Sequence, residues 1–399
     1  MFSEKSRGYI RLELIEISKI FVRIIRLGIF FINIYINRLI KSPAERLLLN
    51  FFSRHPPYQY DKMDEFKHGK RKKPHFLILC DHFNYGNSLM GESIGFLAVN
   101  NTLIASNLAS FDTFYWDIDY SGFPRGDLAV FDKCRAVRPD AIILSSYDPH
   151  NKSQPSVETI RILHDDWNIP IIAIWWDTCW IGFWKYVQSI LAYVDINIIP
   201  ENPLLTFLDG KSDEVNRDRF LPLWGTWDPL IYNNPGYNRD INVSFSGQVD
   251  GYRSKRIPFI QHLMENNISI DCSLFNSKNP PPHSKYVEIL QRSKIVLNFS
   301  YSVDFDQLKG RVFEALLCGA MLMENENAQI QCYFTPGEDY VSFNSKEDLV
   351  DKIQYYLEHE DERLEIAARG ELKVRNFYNH TEFWKKVINK LKEVQELPL

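Results

Sequence analysis

Residues 307–319 read Gln-Leu-Lys-Gly-Arg-Val-Phe-Glu-Ala-Leu-Leu-Cys-Gly. Two cations, Lys309 and Arg311, precede one acid, Glu314, which lies in an otherwise apolar run from Val312 to Cys318 that Gly319 ends. Burial of an unpaired charge is costly, so packing does not explain charges in such a helix. The economical reading is a helix whose N-terminal end faces a ligand. Its cations and backbone N–H groups would meet phosphate, and its carboxylate would meet sugar hydroxyls. An ionised carboxylate only accepts hydrogen bonds, so Glu314 can take both hydroxyls of a ribose diol. When a bond to a leaving diphosphate breaks, negative charge grows there, and Lys309 and Arg311 would stabilise it most in the transition state. The plain structural readings are an Arg311–Glu314 ion pair along one helix face and two solvated surface cations.

Other positions carry weaker signals. Gly247 and Arg253 follow a strand-like run, Val243-Ser-Phe-Ser, where glycine lets the backbone approach a phosphate and an arginine opens the next helix. Asp306 precedes the 308–318 helix and is expected near the hydroxyls of a transferred sugar. Asp304-Phe-Asp306 and Asp117-Ile-Asp119 spell acid pairs of metal-binding type. Such triplets arise often by chance, and no metal or cofactor is expected. Asp81, His82 and Gly86 follow the first strand, which puts His82 in place as a general base for an acceptor hydroxyl; the alternative is a loop histidine bonded to backbone. Asp177 ends the run Ile-Pro-Ile-Ile-Ala-Ile-Trp-Trp on the same side, beside Trp175, Trp176 and Trp180, which suit either sugar stacking or core packing. No local Ser-His-Asp or Cys-His arrangement stands out, and Gly210-Lys-Ser lacks the frame of a phosphate-binding loop, which argues against an NTPase.

Alternating strands and helices must position these groups. Strands are expected at 75–80, 102–106, 140–145, 170–176 and 194–199, with helices near 87–99, 126–136, 155–167 and 181–192. The strand runs are apolar throughout, as in a parallel sheet covered on both faces. Ligands then bind beyond the carboxyl ends of the strands. Pro, Gly, Asn and Asp crowd residues 200–239, which places a hinge near Leu221 to Asn238. A second unit follows, with strands at 241–246, 268–274, 294–299, 320–323 and 339–343. Its helices are expected near 253–266, 284–292, 308–318, 345–358, 361–376 and 381–396. Ser345 with Asp348 resembles a capping box.

Residues 9–41 read as a basic amphipathic helix, with Lys19, Arg23, Arg26, Arg38 and Lys41 as its charges after Glu16. Such a helix lies on an anionic membrane surface or packs against protein. Residues 53–74 read as a linker with the basic run Lys70-Arg-Lys-Lys73. No run is long enough to span a bilayer and no signal peptide is evident, so a cytoplasmic protein is expected, with peripheral membrane contact through 9–41. The 399 residues allow two domains plus extensions, and a net charge of −5 provides no basic field for nucleic acid. The six cysteines include no C-x-x-C pair, and a reducing compartment without disulfides or zinc is expected.

Four segments together resemble the GT-B glycosyltransferases of the "group 1" superfamily, and within it the spore-protein CgeB-like group. They are Val243–Gly247 with Gly251 and Arg253; Tyr286–Phe299; Gln307–Gly319; and Phe334-Thr-Pro-Gly-Glu-Asp-Tyr340. The resemblance implies an α/β architecture of two Rossmann-like, doubly wound domains facing a cleft. The acceptor domain would span 72–235 and the nucleotide-sugar domain 240–380. A final helix, 381–399, would return to the first domain, and the basic helix would occupy 1–52. It also implies transfer, with retention, from a nucleotide-diphosphate sugar to a saccharide, lipid or protein acceptor. Related enzymes carry two acids eight positions apart; here they are Asp306, a shorter acid than usual, and Glu314. The alternatives on the same fold are a protein that binds the sugar nucleotide without transfer, and a nucleotide-sugar epimerase.

Overall fold

A computed structural model describes residues 71–88, 91–93, 95–178, 182–202, 217–272, 283–301 and 306–396. The basic helix expected over 9–41, most of the 53–74 linker, Trp180 and Asp304 lie outside the described residues.

The first sheet is formed by β1 (His75–Cys80), β2 (Ser110–Tyr115), β3 (Ala141–Ser145), β4 (Ile171–Ile174), β5 (Ile196–Ile199) and β6 (Phe220–Pro222), in the order β2-β1-β3-β4-β5-β6. Every pairing is parallel. β3, β4 and β5 are buried at every position, which is why they read as unbroken apolar runs. The second sheet is formed by β7 (Ile241–Phe245), β8 (Ile270–Asp271), β9 (Ser293–Asn298), β10 (Met321–Asn325) and β11 (Val341–Phe343), ordered β11-β10-β9-β7-β8 and again parallel. Strand order reverses between β1 and β3 in one sheet and between β7 and β9 in the other. Those reversals open the crevices where ligands of such folds bind.

One strand expectation fails. Residues 102–106 lie in a helix, α1 (Asn101–Ser106), which Asn107 closes at φ 53°. The second strand is Ser110–Tyr115 instead. A five-residue apolar run does not distinguish helix from strand. The true strand sits at the sheet edge, half exposed, and so lacks a continuous apolar signature.

The longer helices are α2 (Arg125–Val137), α3 (Ile257–Glu265), α4 (His283–Arg292), α5 (Gly310–Leu317), α6 (Lys346–Glu358), α7 (Glu360–Phe377) and α8 (His380–Glu396). Ser345 caps α6 by accepting from the Asp348 N–H at 3.0 Å, and the Asp348 carboxylate reaches back to the Asn344 N–H at 3.1 Å. Gly319 ends the α5 segment at φ 71°. One buried apolar cluster runs from Phe76 and Leu103 through Trp224 to Val312, Phe313 and Trp384, and so joins the two sheets through α5 and α8. The Trp384 indole N–H donates to Thr102 Oγ1 of α1 at 2.9 Å, tying the last helix to the first sheet's layer. Among the described residues no helix is long and apolar enough to cross a membrane.

Candidate functional site

The second sheet's reversal puts the ends of β7 and β9 beside the start of α5. The chain after β9 leads through Asp306 and Gln307 to Lys309, the N-cap of α5. On that helix Val312, Phe313, Ala315 and Leu316 are fully buried, whereas Arg311 and Glu314 are only partly so. The helix therefore buries its apolar face and leaves its ionic residues at an edge of the core.

Arg311 and Glu314 do not pair directly. Arg311 Nε donates to the Tyr286 hydroxyl at 3.0 Å, and that hydroxyl donates to Glu314 Oε2. Glu314 Oε1 accepts from the Tyr232 hydroxyl at 3.4 Å, which lies 3.0 Å from His283 Nε2. The Arg311 guanidinium also sits 5.3 Å over the Tyr286 ring. Burial, then the nearby Glu314, raises the Tyr286 hydroxyl well above its usual pKa, so it remains a donor. Tyr232 comes from the interdomain linker and Tyr286 from α4, and neither was assigned a role from sequence. Tyr286 opens one of the segments carrying the family resemblance, and that was its only signal.

Gly247 follows β7 at φ 153°, which L side chains rarely adopt. A Cβ there would stand 3.1 Å from Arg256 Nη1 and 3.4 Å from Arg311 Nη1. A bare stretch of backbone is thus flanked by two guanidiniums, the setting an oxyanion group needs. Arg311 Nη1 donates to the Ser246 carbonyl beside it. The second guanidinium belongs to Arg256, not to the expected Arg253. Arg256 is 6% exposed and donates to the Gln248 and Phe299 carbonyls at 3.0 and 3.1 Å. Arg253 lies one turn earlier and donates to the Gln248 side chain at 3.1 Å. Both belong to a short 3-10 turn, Gly251–Arg256, and the spacing of cations along it does not reveal which one faces the glycine.

Asp306 bridges Tyr301 across the β9–α5 loop, and partial burial raises its carboxyl pKa. Glu324 of β10 is wholly buried; it accepts from Asn298 Nδ2 at 2.6 Å and from the Ser300 N–H at 2.8 Å, and burial pushes its pKa up to about 7. Lys309 donates to Gln307 Oε1 and lies 3.9 Å from Asp177 Oδ1 of the first sheet's layer. The two cleft-side residues singled out from sequence on either half therefore meet.

The first half is less decisive. The His82 ring packs against Phe83, Phe96 and Tyr115 at 4.3, 4.8 and 4.7 Å, and its Nδ1 is buried without a partner. Burial raises the neighbouring Asp81 carboxyl to about 6, and Asp81 accepts from the Trp116 indole. Both oxygens of Asp117 accept backbone N–H groups, from His82 at 2.8 Å and Phe83 at 2.9 Å, and Asp119 accepts from the Tyr115 N–H at 2.8 Å. The Asp117-Ile-Asp119 triplet thus braces a loop. Trp175 is core, bonded to Asn197 Oδ1 at 2.8 Å. Among the described residues no cluster of three or more metal-ligating side chains occurs.

Comparison with known proteins bears on the fold and on the second half of the chain. Residues 222–389 match the model of a family described as glycosyl transferase-like. No curated protein matches the chain. Among solved structures, HepE of Anabaena in complex with UDP and glucose superimposes with a TM-score of 0.53 at 10% identity, over 80% of this chain and all of that one. Sucrose-phosphate synthase of Thermosynechococcus elongatus gives 0.55 at 10% identity with the same coverage. A glycosyltransferase of Rickettsia africae gives 0.54 at 11%, over 82% of this chain and all of that one. The protein therefore has the GT-B fold, and its second half carries the sequence pattern of a glycosyl transferase-like family.

Proposed function

We propose that the protein is a glycosyltransferase that moves a sugar from a nucleoside-diphosphate donor to an acceptor hydroxyl. The observation that carries this reading is the convergence of Gly247, Arg256, Arg311 and Glu314 at the reversal point of the second sheet. In it the diphosphate lies along the Gly247 backbone and the start of α5. Arg311 and Lys309 face its oxygens and Glu314 accepts from the ribose. As the bond between the anomeric carbon and the β-phosphate oxygen breaks, the electron pair stays with that oxygen, the acceptor oxygen bonds to the anomeric carbon, and the acceptor's hydroxyl proton passes to the departing phosphate. Arg311, Lys309 and the helix-end N–H groups stabilise the resulting charge. Asp306 faces the transferred sugar, and the acceptor approaches that sugar from the first half; the family resemblance supports retention at the anomeric carbon. HepE, which shares the fold, is bound to UDP and glucose, which favours UDP-sugars as the first donors to try.

Purified protein incubated with UDP-, GDP- and ADP-sugars tests the proposal. Donor hydrolysis or transfer to saccharide, lipid or protein acceptors is the expected result. Binding without turnover would reject catalysis and leave a sugar-nucleotide-binding protein. Sugar interconversion without acceptor would mark an epimerase, and failure to bind any nucleoside diphosphate would reject the site itself.

A further inference from the structure

Glu201 follows β5 in the first half of the chain, and nothing in the donor-site reading uses it. It is 3% exposed and buried against Thr178 (5%) and Gln307 (1%). Its Oε1 accepts from Gln307 Nε2 at 2.8 Å and its Oε2 accepts from the Thr178 hydroxyl. Gln307 belongs to the other half of the chain and leads into α5. An ionised carboxylate accepts only, so it takes the NH2 side of the Gln307 amide and turns the amide oxygen the other way. That oxygen is the atom that accepts from the Lys309 ammonium. The rest of Gln307 is fixed too: its N–H donates to the Ser300 carbonyl at 3.1 Å and its carbonyl accepts from Asn327 Nδ2 at 3.0 Å. The adjoining Asn202 N–H donates to Gln329 Oε1 at 2.8 Å, a second tie across the same junction.

We infer that Glu201 is a positioning residue of the first domain that sets the Gln307 amide and thereby aims Lys309 at the donor diphosphate. The inference rests on the reading of Lys309 as a phosphate-facing cation. It gives the junction a task beyond cohesion: when the halves are seated together, the ammonium is held at the start of α5, and when they separate Gln307 loses its orienting acceptor. Asp177, 3.9 Å from the ammonium, comes from the same half as Glu201 and supports that placement.

The test compares, by calorimetry, the nucleoside diphosphate that binds best among UDP, GDP and ADP with its own nucleoside. In the wild type the diphosphate binds more tightly. Lys309→Met should lower that preference about tenfold and leave nucleoside affinity unchanged. Glu201→Leu should do the same, and the double variant should lose little more. Glu201→Gln should restore the preference, because its amide oxygen accepts from Gln307 while its NH2 donates to the Thr178 hydroxyl. Gln307→Leu reports on the same link should Glu201→Leu not fold. Full additivity of Glu201→Leu with Lys309→Met, equal loss of nucleoside and diphosphate, or failure of Glu201→Gln would overturn the inference. A wild type that binds diphosphate no better than nucleoside would defeat the donor-site reading itself, and the role of Glu201 with it.

Discussion

Glu314→Gln separates a ribose-binding acid from a structural one. In the free protein both carboxylate oxygens already accept from hydroxyls, of Tyr286 and of Tyr232. Ribose hydroxyls must therefore displace or share these bonds, and the net gain is smaller than two full charged hydrogen bonds. Taking one such bond, about 1.5–3 kcal/mol, the substitution should weaken nucleoside-diphosphate binding by about 10- to 150-fold. Gln keeps the shape and one acceptor oxygen, so the unfolding midpoint should change little. The decisive assay is isothermal calorimetry with a nucleoside diphosphate and its 2′-deoxy analogue on both proteins. The wild type should lose most of the same factor on removal of the 2′-hydroxyl, while the variant should lose at most about threefold, the remnant of a neutral hydrogen bond. A residue that merely braces the two tyrosines would lower stability and leave the deoxy penalty equal in both proteins. That equality would refute the ribose role.

Arg311→Lys removes the guanidinium that spans Tyr286 and the Ser246 carbonyl and keeps only a point charge; diphosphate affinity should fall about 10- to 150-fold, equivalent to the roughly 1.5–3 kcal/mol of a charged hydrogen bond, measured by the same calorimetry. Gly247→Ala puts a Cβ 3.1 Å from Arg256 Nη1 at a φ of 153° and should destabilise by about 1–3 kcal/mol, read from urea denaturation, with donor affinity lost in parallel. Glu324 has a folded pKa of about 7 against an ordinary 4.5, because burial disfavours its charge. The folded state therefore holds its proton longer than the unfolded state, and this carboxyl's contribution to stability falls as pH rises from about 4.5 to 7. The stability difference between Glu324→Gln and wild type should shift in the variant's favour by on the order of 3 kcal/mol between pH 4 and pH 8; a flat difference would show that the carboxyl is ionised at neutral pH.

Where burial is two-sided, the elements were legible. The run His-Phe-Leu-Ile-Leu-Cys marks β1 to the residue, and the last three helices begin and end within a residue or two of their expected bounds. Each of those signals is local: an unbroken apolar strand, a capping serine, a helical repeat. The edge strand β2 and the short β6, which falls in the stretch read as a hinge, lack such a signal. An edge strand is wetted on one side, and three residues at a junction are fixed by what they pair with rather than by their own pattern.

The same division explains the site. Lys309, Arg311 and Glu314 are neighbours on one element, so their types and spacing are visible in the sequence as a group. Tyr286, Tyr232, Gln307 and Glu201 make pairings that span 25 to more than 100 positions, such as Arg311 with Tyr286 and Gln307 with Glu201. A buried tyrosine or glutamine has no local reason to be more than core until its partner is known. The Arg311–Glu314 ion pair shows the converse error: helical spacing made it plausible, yet the Tyr286 hydroxyl stands between the two groups. That insertion matters chemically. A direct ion pair would neutralise both charges and offer a ligand neither, whereas a hydroxyl bridge holds an acceptor and a donor apart.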